Sequence, residues 1–253
     1  MSFDNIISFL LNSFDSGNKE KNSEIHIGKK FTKNNNSSVL KIILLAREGE
    51  GEAYITKILI RRLHKKGYSS LSYFFPKHLP SSNANKTINN FDFIKNQIKF
   101  DILKIKTEHN FQKIDIIAPS LSVVSACLIA NDNDNIQNLF LLVPSSCLAS
   151  SLWNGIRTQK LKNTYEHQNI NQEDLKNRWK NLAPKRNINT MRGKNIFIAI
   201  SKSDKVIPYH FGKELTNLTK KLHPNNTIIQ ENTYIGHYFT VIKYYLFNKE
   251  LLK

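Results

Sequence analysis

Four near-continuous apolar runs recur along the chain: "SSVLKIILLA" at 37–46, "KIDIIA" at 113–118, "NLFLLVP" at 138–144 and "KNIFIAIS" at 194–201. A strand with one solvated face alternates apolar and polar residues, so unbroken runs point to strands covered on both faces. Helical patterns stand between them. "REGEGEAYITKILIRRLHKKGY" follows the first run as a glycine-containing loop and then a helix, with Ile55, Ile58, Leu59 and Leu63 at helical spacing and Gly67 as its C-cap. "LSVVSACLIAN" follows the second run and "PYHFGKELTNLTKKL" the fourth. Strands that alternate with helices predict an α/β fold, a mostly parallel central sheet with helices on both faces.

Weaker signals fill in the rest. "EIHIGKKF" at 24–31 reads as an early strand, "SSLSYFF" at 69–75 as a strand stopped by Pro76, and "NTIIQEN" at 226–232 as a short strand. "HLPSSNANKT" reads as a loop, "INNFDFIKNQIKFDILKIKTEH" at 88–109 as a second helix, and "HYFTVIKYYLFNKELL" at 237–252 as a closing helix. The stretch from Pro144 to Gly193 is too long for a simple strand-to-helix connection, and its pattern is helical. It predicts a small helical cap at about 145–193 over the carboxyl edge of the sheet. The organisation expected is an N-terminal helix with a polar linker at 1–23, then one domain at 24–253.

The chain's 37 Lys and Arg against 20 Asp and Glu give a formal net charge of +17. Such a charge permits binding to nucleic acid or an anionic membrane. The basic residues are scattered rather than gathered on one motif, and stretches such as "FTKNNNSS" and "LHPNNT" suit a solvated surface, so nucleic acid is not the expected partner. Cys127 and Cys147 lie in apolar runs and read as core residues rather than as a disulfide or metal ligands. No apolar run reaches the roughly 18 residues of a transmembrane helix. The start, "MSFDNIISFLLNSFDSGNKE", carries an acidic residue where a signal peptide carries basic ones. It reads as an amphipathic helix docking on the domain or on a partner, in a cytoplasmic protein.

Candidate chemistry centres on Ser120. In "APSLS" it follows a buried strand and precedes a helix, flanked by the small residues Ala118 and Ser122. A sharp strand-to-helix turn needs small neighbours, because the helix returns close to the strand, and it lifts the hydroxyl clear of the sheet. The N–H of Leu121 would then stand at the helix N-terminus, where partial positive charge favours a developing oxyanion. The other reading makes Ser120 a simple N-cap. Asp204, in "SKSDKVIP", and His237, in "GHY", each follow a strand-like segment, on the edge of the sheet where Ser120 lies. A serine needs a base to take its proton, and the base needs a carboxylate to hold its tautomer. His64 and His78 precede the serine strand, His210 falls inside a helix, and Asp101 and Asp115 sit within a helix and a strand. All are less well sited.

From about Val39 onward the chain resembles the α/β-hydrolases, on "APSLS" as a relaxed nucleophile elbow, "SKSDKVIP" as the acid loop and "GHY" as the histidine loop. The segment "NGIRTQKLKNTYEHQNINQEDLKNRWKNLAPKRNI" is similar to the helical insertion of some bacterial members, with a Thr-Gln pair before a helix and a Trp leading to Ala-Pro. The resemblance implies Ser120 as nucleophile, Asp204 as acid and His237 as base. It also implies attack on a small-molecule ester, thioester or amide through an acyl-enzyme, with no cofactor or metal. Two departures stand out. Ala118 and Ser122 replace both elbow glycines, and "LLAREGEGEAY" replaces the family's His-Gly after its third strand. The second oxyanion donor would come from that loop, with Arg47, Glu48 and Gly49 nearest, and a carboxylate from Glu48 or Glu50 turned inward would repel the oxyanion. A hydrolase fold that has lost catalysis and serves in binding is the alternative. Trp153 and Trp179 either line an acyl pocket or, as is commoner, pack the insertion onto the body. Arg157, Lys160, Lys162 and Arg178 either attract an anionic substrate or are solvated.

Overall fold

The computed structural model describes residues 27–45, 50–76 and 79–252. The helix and linker expected at 1–23 lie outside the described residues, as do His78, Arg47, Glu48 and Gly49. Seven strands form one sheet: β1 Gly28–Thr32, β2 Val39–Leu45, β3 Ser69–Phe74, β4 Lys113–Pro119, β5 Ile136–Leu142, β6 Asn195–Ser201 and β7 Thr227–Asn232, in the order β1-β3-β2-β4-β5-β6-β7. Neighbours run parallel except β1, which pairs antiparallel with β3 at the edge.

Both faces of the central strands are buried, which explains the unbroken apolar runs. In β2 the alternation sends Leu40, Ile42 and Leu44 to one face and Ile43 and Leu45 to the other. The second face is covered by α1 (Glu50–Lys65), through Ile55, Leu59 and Leu63, and by a C-terminal helix bearing Tyr244 and Tyr245. On the first face lie α2 (Ala84–His109), α3 (Ser122–Asn131) and an insertion between β5 and β6. That insertion holds α4 (Leu148–Asn154), α5 (Gln159–His167), α6 (Gln172–Arg178) and α7 (Pro184–Asn187). After β6 come α8 (Tyr209–Leu222) and, following β7, α9 (His237–Phe247). Among the described residues no helix is long and apolar enough to cross a membrane.

Local chemistry sets the element ends. At Gly67, φ is +88°, and Tyr68 N–H reaches back to the Leu63 carbonyl at 3.0 Å, so α1 ends as its glycine predicts. Two helix ends lie several residues from the sequence reading. Helix α2 starts at Ala84, inside the stretch read as loop, because the Asn83 side chain caps it by accepting from Lys86 N–H at 2.9 Å. The closing helix stops at Phe247. Asn248 turns extended and accepts from Glu250 N–H at 2.6 Å, which starts a separate 3-10 turn at Glu250–Leu252.

The tryptophans pack as the commoner reading has it. Trp179 is fully buried, donates its indole N–H to the Ala84 carbonyl at 3.0 Å and meets Tyr165 edge-on at 5.9 Å. It fastens the insertion to the start of α2. Trp153 is partly buried against the same core.

A polar row crosses the sheet near the amino ends of its strands. Lys41 pairs with Asp115 at 2.5 Å, with both side chains almost wholly buried. Asn138 donates to Asp115 at 2.6 Å, and Asn195 to Asn138 at 2.9 Å. The backbone register places these four residues side by side on β2, β4, β5 and β6.

Candidate active site

The chain order reverses between β2 and β4, and crevices form at the carboxyl ends of strands on either side of such a switch point. Ser120 leaves β4 there. Its N–H extends the ladder to the Leu142 carbonyl at 2.8 Å, and its φ of +53° is left-handed, a conformation seldom taken by residues other than glycine. Strain of this kind, about 1–3 kcal/mol, persists only where the surroundings impose it. Here β4 and α3 leave the chain no gentler path. Ser120 does not cap α3, which begins after Leu121 without a side-chain cap.

The replaced glycines are accommodated. Ala118 is fully buried. Ser122, also fully buried, directs its hydroxyl between two carbonyls, Pro119 at 2.6 Å and Leu44 at 3.0 Å, tying the start of α3 to the end of β2. The hydroxyl thus occupies the tight space as a hydrogen-bonded strut. The N–H of Leu121 has no partner among the described residues and stands at the N-terminus of α3, where the helix dipole is positive.

Asp204 and His237 meet Ser120. His237 opens α9, and its Nε2 is 3.0 Å from Ser120 Oγ, while its Nδ1 is 2.7 Å from Asp204 Oδ2. The side chains of His237 and Asp204 are only 4% and 5% exposed, so water competes little for the contact. The second oxygen of Asp204 accepts from the N–H groups of Val206 and Ile207, both at 2.9 Å. A carboxylate only accepts, so it holds the imidazole proton on Nδ1 and leaves Nε2 as the acceptor facing the serine hydroxyl.

Two residues that the sequence reading passed over position these loops. Ser201, at the end of β6, donates to the Ile235 carbonyl and accepts from Ser203 N–H at 3.3 Å, joining the acid loop to the histidine loop. Glu231 on β7 accepts from Tyr209 OH at 2.8 Å, pairs with Lys213 at 2.9 Å and with Lys202 at 3.2 Å. Lys202 and Tyr209 bracket Asp204, so one carboxylate clips both ends of the acid loop. Nothing in "QEN" signals this, because the partners come from the loop after β6 and from α8.

The hydrogen bond from Lys213, with those from Tyr209 and Lys202, holds the Glu231 carboxyl at about 2, against an ordinary value of 4.5. A depressed carboxylate stabilises the fold above its unfolded pKa, and that contribution fades as pH falls through the folded one. At this carboxylate, 24% exposed, solvent screening leaves about 1 kcal/mol. Glu231→Gln should therefore melt about 2–4 °C lower than wild type at pH 6, with the gap closing between pH 4.5 and about 2. A gap that stays constant over that range would show that Glu231 does not clip the loop.

The remaining candidates lie elsewhere. Asp101 is held by Lys29 at 2.9 Å and Tyr73 at 3.0 Å, and Asp115 belongs to the polar row. His64 is exposed at the end of α1, and His210 lies in α8. Cys127 and Cys147 are free and buried, and burial pushes the Cys127 thiol up to about 12. Among the described residues no group of three or more His, Cys, Asp or Glu is placed to hold a metal ion.

Solved structures resemble this one over most of its length. An esterase from Pyrococcus furiosus has a TM-score of 0.61 and 14% identity, over 90% of this chain and 84% of that one. A structure from work on carboxylesterases of Nitrososphaera gargenis has a TM-score of 0.56 and 13% identity, over 88% and 92%. The acylaminoacyl peptidase of Pyrococcus horikoshii gives 0.63 and 13%, over 92% of this chain and 40% of that longer one. No protein-family model and no curated protein matches the sequence. At these identities the likeness is one of fold.

Proposed function

We infer that this chain, which has the α/β-hydrolase fold, is a serine hydrolase that cleaves a carboxylic ester or thioester of a small molecule through an acyl-enzyme. One observation carries the reading: a left-handed Ser120 at a strand end, within 3.0 Å of an imidazole whose other nitrogen is 2.7 Å from a buried carboxylate. In this reading Ser120 Oγ attacks the acyl carbon as its proton passes to His237 Nε2. Asp204 stabilises the resulting imidazolium and is not itself protonated. The carbonyl oxygen gains charge beside the Leu121 N–H, and a fixed donor there lowers the barrier because it needs no reorganisation. The bond to the leaving group then breaks, and His237 returns the proton to the departing oxygen or sulfur. Water attacks the acyl-enzyme by the same path in reverse, giving up one proton to His237. The carboxylic acid leaves, and Ser120 recovers its proton.

A fluorophosphonate probe tests this directly, since it labels only an activated serine. Wild-type protein should be labelled, and the label should be lost in His237→Ala as well as Ser120→Ala. A folded wild type that stays unlabelled would leave the fold as a binding scaffold, the reading favoured by the missing His-Gly motif.

A further inference from the structure

Helix α2 is apolar on two sides. Phe91, Ile94, Ile98 and Ile102 are fully buried against the sheet. Phe93, Phe100 and Leu103 are 47%, 63% and 59% exposed. Their spacing puts these three on one outer stripe of the helix, with Asn96 between the two phenylalanines. Single exposed apolar residues are ordinary, whereas three in line on one helix mark a surface that something covers. Exposed ion pairs flank the stripe: Lys95 with Asp92 at 3.3 Å, Lys99 with Asp132 at 3.4 Å and Lys104 with Glu108 at 3.9 Å.

The course of the chain points to what covers it. The first described residue, Ile27, packs against the core on the α2 side of the sheet. In β1, which follows, Lys29 Nζ is 2.9 Å from Asp101 Oδ1, and the Phe31 ring stacks on His109 with centroids 5.3 Å apart. Followed backwards from Phe31 to Lys29, β1 therefore moves along α2 from His109 to Asp101, towards Phe100 and Phe93. Residues 1–26 join the described chain there. In a helix, Phe3, Ile6, Ile7, Leu10, Leu11 and Phe14 would share one face, at the spacing by which an amphipathic helix lays anchors on an apolar surface. The 12 residues from 15 to 26 reach up to about 40 Å when extended, about the length of α2 itself.

Charge agrees with this occupant. Residues 1–18 carry Asp4 and Asp15 and no Lys or Arg, in a chain of net charge +17. Helix α2 carries five Lys, at 86, 95, 99, 104 and 106, against Asp92, Asp101 and Glu108, and Asp101 is turned inward to Lys29 and Tyr73. An anionic membrane calls for a basic polar face, which residues 1–18 lack. A stable contact between two copies needs about 800 Å² from each, and three side chains between ion pairs fall well short of that.

We propose that residues 3–14 form an amphipathic helix that packs its apolar face on the outer stripe of α2, over Phe93, Phe100 and Leu103. This intramolecular docking is independent of the chemistry at Ser120.

Photocrosslinking of the full chain tests the contact. The photoreactive residue p-benzoylphenylalanine is placed at Phe100 or, as a control, at Phe247, which is 70% exposed on α9 across the sheet. After irradiation of a mixture of unlabelled and 15N-labelled chains, the probe at 100 should be joined to the tryptic peptide 1–19 of its own chain, and the probe at 247 should not. No link from 100 to that peptide, links only between labelled and unlabelled chains, or an equal yield from 247 overturns the proposal. A double-mutant cycle gives a second readout. Leu10→Gln and Phe100→Gln should each lower the melting temperature by about 2–4 °C, and the two together by less than the sum, because each removes the same contact. A Phe100→Gln variant that melts within about 1 °C of wild type, as a solvated side chain would, or strictly additive shifts, also overturns it.

Discussion

Ser120→Ala should lower ester turnover by about a millionfold, to the level left by binding and oxyanion contacts alone, while the protein folds as before. The substitution removes one atom, Oγ, whose described contact is with His237. The left-handed backbone at φ +53° is set by β4 and α3, and alanine bears the same conformational strain there as serine. The N–H that completes the ladder to Leu142 is untouched. Thermal unfolding within about 1 °C of wild type, together with lost turnover, is the combination to look for. A variant that still turns over ester would remove Ser120 from the chemistry.

Asp204→Asn should cost about ten-thousandfold in kcat, again without unfolding. The reason lies in how the carboxylate is held. Val206 and Ile207 both direct N–H groups at Oδ1. An asparagine must therefore keep its carbonyl oxygen on that side, which turns its NH2 towards His237 Nδ1. Two donors cannot face each other, so the imidazole carries its proton on Nε2 instead. That nitrogen then meets Ser120 Oγ as a donor and cannot accept its proton. A histidine whose ring nitrogen resonances report the same tautomer in wild type and variant, or an unchanged rate, would contradict this account.

The four covered strands are legible in the sequence because each is buried on both faces, so apolar residues run on without a break. The antiparallel placement of β1 is not legible. Its pattern is weak, and pairing with β3 depends on a partner some forty residues away. The start of α2 is hidden for a local reason: Asn83 sits in a stretch rich in turn residues, and the cap that distinguishes helix from loop is a single side-chain bond. In the site, Ser120, Asp204 and His237 stand out because each follows a strand and the roles come in a chemically sensible order. What holds them is harder to read. Ser122 looks like a steric fault beside Ser120, yet its hydroxyl finds two carbonyls that only the folded sheet brings near. Glu231 draws partners from the end of β6 and from α8, which no local pattern reports. Arg47 and Glu48, suggested as sources of the second oxyanion donor, lie outside the described residues, and their role stays a proposal.

Strands made of unbroken apolar runs carry little information about how far along one another they should sit. Sliding one by two residues keeps every side chain on its own face. The row of Lys41, Asp115, Asn138 and Asn195 removes that freedom. Shift β4 by two, and Asp115 leaves Lys41 behind in an apolar interior, at about 3–5 kcal/mol for the stranded charge. The same shift would carry Ser120 about 6.6 Å along the strand, well beyond the reach of His237. The height at which the hydroxyl stands at one rim of the sheet is thus decided by an ion pair near the other.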